Sequence, residues 1–100
     1  MSDDAGFFAP PPFKADEALL QLRRTLRAIG GLAERGAQFE WNGRPAVTLA
    51  VGEGAIEGRL ARRPLARPEW DVRTLRSGAD VRRFGEDVKQ CVARWRDADE

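Results

Sequence analysis

The sequence predicts an α+β fold, a two-layer sandwich in which an antiparallel meander sheet is covered on one face by two helices. Three observations carry that expectation. Apolar residues recur at intervals of three and four near both ends of the chain, the period switches to two across the middle third, and the alternating segments are apolar on one face only. The economical way to bury two helical stripes and one sheet face is to pack them together, in the order α-β-β-β-(β)-α.

Residues 1–13 carry no apolar period and contain Phe7-Phe8-Ala9-Pro10-Pro11-Pro12-Phe13. Consecutive prolines fix φ and lack donors, so the expectation is a flexible, polyproline II-like arm pinned to the body by Phe13. It has no PxxP with a flanking basic residue, the pattern of a proline-rich module ligand. The body of the domain is expected over residues 14–96. Leu19, Leu22, Leu26 and Ile29 mark an amphipathic helix with Asp16 and Glu17 in its first turn, Arg24 and Arg27 toward its end, and Gly30-Gly31 at its C-cap. Leu32 just beyond is placed to make the apolar contact that closes such an ending.

Phe39 and Trp41, then Val47, Leu49 and Val51, then Ile56 and Leu60 alternate with polar or small residues and mark three half-buried strands. In an antiparallel hairpin paired positions have a constant sum, and a two-residue Glu53-Gly54 loop puts Val47, Leu49 and Val51 on the face of Ile56 and Leu60. The same arithmetic disfavours a plain two-residue Asn42-Gly43 turn, which leaves Phe39 opposite to Val47. A three-residue loop with Gly43 in the left-handed region, a type I turn plus bulge, is therefore expected. Residues 62–68 hold two prolines and form a loop. Beyond it Trp70, Val72 and Thr74 alternate with Asp71, Arg73 and Leu75 as a fourth strand, with Trp70 assigned to the core and Asp71 and Arg73 to solvent together with Gln38, Glu40, Thr48, Ala50, Glu57 and Arg59.

Ser77 with Asp80 three residues later opens the last helix with a capping-box pattern. Val81, Phe84, Val88, Cys91, Val92 and Trp95 hold the helical period, Arg82-Glu86 and Arg83-Asp87 are spaced for exposed ion pairs, and Gly85 implies a close approach of a neighbouring element. Residues 97–100 read as an acidic tail.

Composition narrows function more by exclusion than by signal. The chain has no His or Tyr, one Cys and two Ser, which removes most parts used in acid–base, nucleophilic and metal chemistry, so no enzyme, cofactor or metal site is expected. Cys91 on the apolar stripe reads as a buried thiol. Gly52-Glu53-Gly54 lacks the Lys and Ser/Thr of a phosphate loop and precedes a strand. An acidic start, no apolar run long enough to span a bilayer and a lone thiol lead to a cytoplasmic expectation with no membrane association.

Charge is the one distribution with structure. The net charge of +1 averages acidic ends with a body at +6 between Lys14 and Arg96, and Arg59–Arg83 alone holds eight arginines against three acids. Two functions follow as expectations. One is a non-enzymatic interaction domain that presents a sheet edge or face to a protein partner, a second copy included. The alternative is nucleic-acid or anion binding on an arginine-rich rim, with Arg59, Arg62, Arg63, Arg67, Arg73 and Arg76 as the candidate contacts and Trp70 as a stacking surface.

Overall fold

The structure is a computed structural model and describes residues 13–99. Its elements are α1 (Ala15–Arg27), β1 (Leu32–Arg35), β2 (Gln38–Trp41), β3 (Arg44–Gly52), β4 (Ala55–Ala61), β5 (Trp70–Leu75) and α2 (Gly78–Asp99). The strands form one open antiparallel sheet in sequence order, β1-β2-β3-β4-β5. Both helices pack on one face of it, as the α+β reading requires. Of the proline-rich arm only Phe13 lies within the described residues, where it packs against the core.

The core is wholly apolar. Leu22 and Leu26 of α1, Phe39 and Trp41 of β2, Val47 and Leu49 of β3, Ile56 and Leu60 of β4, Leu75 of β5, and Phe84, Val88, Val92 and Trp95 of α2 are all buried, and no polar or charged residue is buried among the described residues. Trp41 and Trp95 meet with ring centroids 5.8 Å apart at 57°, close to the tilted arrangement that aromatic quadrupoles favour. Gly85 is the point of closest helix contact: a Cβ there would lie 3.4 Å from the Thr25 methyl and 3.8 Å from Leu22.

The helices run parallel. Phe13 and Gly78 lie together at one end, Gly85 faces Thr25 midway, and the Arg96 guanidinium donates to the Gly30 carbonyl at the other end. Five antiparallel strands lie between the helices, and each helix runs antiparallel to the strand next to it in sequence, so the odd strand number requires this sense.

Four sequence expectations change. The first is β1, which periodicity does not reveal: Leu32–Arg35 pairs with β2 across Gly36-Ala37, with Gly36 at φ 60°. The second is the Asn42-Gly43 turn. Trp41 pairs directly with Arg44, and Asn42 and Gly43 both have positive φ, 53° and 77°, the signature of a two-residue type I′ turn. The parity argument still holds, because Phe39 pairs with Val47. The extra residue it demands is Ala46, accommodated as a bulge inside β3 and not in the loop.

The third correction is the phase of β5. Ile56 pairs with Leu75, Gly58 with Arg73 and Leu60 with Asp71, which places Asp71 and Arg73 on the helix-covered face and Val72 and Thr74 on the open one; Trp70, paired with buried Ala61, shares their side of the strand but is half-buried against the core, as expected. Leu75 supplies the buried apolar contact, and the Arg73 guanidinium lies 5.9 Å from the centroid of the Phe84 ring. The fourth concerns α2, which continues as helix through Asp99 where the acidic tail was expected. No helix among the described residues is long and apolar enough to cross a membrane.

Candidate interaction surfaces

The open face of the sheet is paved by alternate residues of all five strands. One continuous cross-strand row runs Arg35, Gln38, Thr48, Arg59, Val72, and a second runs Ala50, Glu57, Thr74. Its charges are paired along the surface: Arg35 with Glu40 at 3.4 Å and Arg59 with Glu57 at 3.1 Å, while the Gln38 amide donates to Glu40. Between these pairs Ala50 and Val72 are exposed, Val72 at 53%.

The two edges are built differently from the face. On β1, Glu34 points to the helix side, where Arg27 donates to it at 2.7 Å and Arg23 lies 3.4 Å away. The Arg27 hydrogen bond holds the Glu34 carboxyl below its ordinary range. On β5, Arg73 also points to the helix side. It is clamped by Asp71 at 2.9 Å and by Asp87 of α2, and the hydrogen bond to Asp87 raises its already high pKa further. Each edge strand thus carries an inward charge tied to the adjacent helix, a device that penalises the addition of a further strand.

Of the six sequence-nominated arginines, Arg62 and Arg73 line one cleft and the others are spread over the molecule. Arg59 lies on the open face and Arg73 beneath the opposite one, while Arg76 follows β5 at the end of the sheet that also holds the Glu53-Gly54 turn. Arg62, Arg63 and Arg67 share the loop at the other end. There the structure adds two residues that sequence spacing did not nominate. Arg44 donates to the Pro64 carbonyl at 2.9 Å and ties the loop to β3, and Arg94 of α2 lines the same 340 Å³ cleft as Arg62. Arg44 and Arg94 are far from the loop in sequence, so only the fold connects them.

No family model, curated protein or solved structure matches this chain.

Cys91 also lines that cleft. Burial pushes its thiol pKa up, although Arg94 donates to Sγ at 3.1 Å. The nearby carboxylates, Asp71 and Asp87, are both engaged by Arg73. A protonated thiol beside acids already occupied by a guanidinium has no base to activate it. Among the described residues no three of His, Cys, Asp and Glu are grouped so as to hold a metal ion.

Proposed function

We propose that this chain is a non-catalytic interaction domain that receives a protein partner on its open sheet face. The contrast between face and edges supports the reading: the edges carry inward charges that oppose strand addition, whereas the face offers exposed Val72 and Ala50 among mutually paired charges. Paired surface charges need not be stripped of their partners when a second surface covers them, which lowers the desolvation cost of docking. A single free thiol, Cys91, fits action in a reducing, cytoplasmic compartment.

Val72→Glu with Ala50→Glu adds two carboxylates to this face, one opposite Arg59 and one opposite Glu57, without touching the buried residues. The expected outcome is loss of association, with a second copy or another protein, at an unchanged thermal midpoint. A strict monomer by sedimentation that also retains no protein from a native lysate overturns the proposal.

A second reading rests on a separate observation: Arg44 is tied to the loop that carries Arg62, Arg63 and Arg67, and Arg94 lines a cleft with Arg62, which also pairs with Glu69 at 3.8 Å. Such a cluster suits phosphate contacts of a nucleic acid. Fluorescence anisotropy with a short single-stranded oligonucleotide at low salt tests it. Binding that weakens with salt and falls when Arg62, Arg63 and Arg67 become Ala supports this reading, and absence of binding at low salt rejects it.

A further inference from the structure

On the side of the helix layer that faces away from the sheet, α1 and α2 leave a groove of about 930 Å³. Its walls are apolar or small where Ala28, Ile29, Val81 and Ala93 line it. Its rim is basic, because Arg82, Arg83, Lys89 and Arg96 all reach it while Glu86 is its one acid. The expected intrahelical pairs do not neutralise it: Asp87 is drawn under the helix to Arg73, and among the described residues neither Arg82 nor Arg83 has an ion-pair partner.

We infer that the groove is the docking site of this chain's own residues 1–12, bound back along the helix layer in the same molecule. Three observations name that occupant. The segment leaves the described structure at Phe13, which lies beside Gly78 at the end where both helices begin. A shallow depression from Phe13 past exposed Leu20 shares Gln21 with the groove, so the exit leads into it. The segment also has the complementary chemistry, with Phe7 and Phe8 for the apolar walls and Asp3 and Asp4 for the basic rim.

The lengths agree. From Pro12 back to Asp4 is eight steps, about 25 Å at the 3.1 Å rise of polyproline II. Gly78 to Lys89 spans about 16 Å and Gly78 to Arg96 about 27 Å along α2 at 1.5 Å per residue. A strand of proline-rich chain lying along the groove therefore brings Asp3 and Asp4 to the Lys89–Arg96 end. Three prolines restrict the free segment beforehand, so less entropy is lost on docking than for an ordinary arm.

A nitroxide attached through Ser2→Cys in the otherwise full chain reads this out, since the buried Cys91 thiol labels slowly. The expected result is loss of amide signals from Lys89, Ala93 and Arg96 by paramagnetic broadening, with Thr48 and Val72 on the sheet's open face unaffected. Phe7→Ser with Phe8→Ser, or Arg83→Glu with Lys89→Glu, restores the lost signals, and so in part does about 1 M salt, where the Debye length is about 3 Å. Broadening that is absent, that falls on the sheet face, or that survives both pairs of substitutions overturns the inference. So does equal broadening in a mixture of nitroxide-bearing and isotope-labelled chains, which assigns the occupant to a second copy. None of these outcomes depends on whether the sheet face binds a partner.

Discussion

Gly58 shows how much a single missing side chain matters in this sheet. It lies on the helix-covered face of β4, and a Cβ built there would come within 2.9 Å of two ring carbons of Phe84, which is itself fully buried. The ring cannot move without displacing the core, so Gly58→Ala is expected to destabilise by about 1–3 kcal/mol, the usual cost of overpacking. Urea unfolding of the variant checks this; a loss under about 0.5 kcal/mol, the range of neutral surface changes, contradicts the contact. Cys91 gives a second residue-level expectation. The residue is 8% exposed and burial raises the pKa of its thiol, so alkylation at mildly alkaline pH should be many times slower in the native protein than in the unfolded chain. Sequence reading placed Cys91 correctly because helical periodicity reports burial. It gave no hint of Gly58, since a glycine in a strand looks the same whether a ring or water lies above it.

At the level of elements, local chemistry was legible where it was self-contained. Ser77 accepts from the Asp80 amide at 3.1 Å, and Asp80 accepts in return from the Arg76 amide at 3.0 Å, one residue earlier than a standard capping box would have it. Ser77→Ala is expected to lower stability by about 1 kcal/mol, measured by thermal unfolding. The Asn42-Gly43 turn shows where such reasoning fails. Parity showed that one residue was surplus, but not that Ala46, buried in β3, would absorb it. Gly43 at φ 77° predicts that Gly43→Ala costs about 1–2 kcal/mol, whereas replacement of Gly52, outside the left-handed region, costs less. β1 and β5 depart from the pattern that their residues suggest for a common reason. Leu32-Ala33-Glu34-Arg35 is rich in helix formers, and β5 carries Trp70 and Val72 on the opposite side of the strand from Leu75. Both are edge strands, where pairing and a single inward contact override the pattern.

For the whole molecule, the inward charges of the two edges have testable consequences. The folded-state pKa of Glu34 is depressed, so its ion pairs with Arg27 and Arg23 support β1 above the carboxyl's unfolded range and lose that support as pH falls through the lower folded value. Amide exchange in β1 should accelerate there before exchange in β3 and β4; simultaneous loss across all five strands contradicts the prediction. Replacing Glu34 and Arg73 together by Leu should leave the sheet intact but promote edge-to-edge association, visible as growth in sedimentation coefficient with concentration. The arrangement of arginines belongs to this scale too. Sequence located a basic excess, yet faces and ends of a sheet separate residues that are close in number and join ones that are not, as Arg44 and Arg94 show beside Arg62.

An odd number of strands between the helices also has an electrical consequence. Because α1 and α2 run parallel, their peptide dipoles add, and both positive ends lie beside Phe13 and Gly78. Side chains run the opposite way. Asp16, Glu17 and Asp80 occupy the first turns, and Arg24, Arg27 and Arg96 the last, with Asp97 and Asp99 of α2 as exceptions. The backbone field of the helix layer is thus quenched at its positive pole by acids from both helices, and at the negative pole chiefly on the α1 side. Neutralising the acids at the first turns would uncover the combined pole of two helices, a stronger attractor for anions than either helix presents alone.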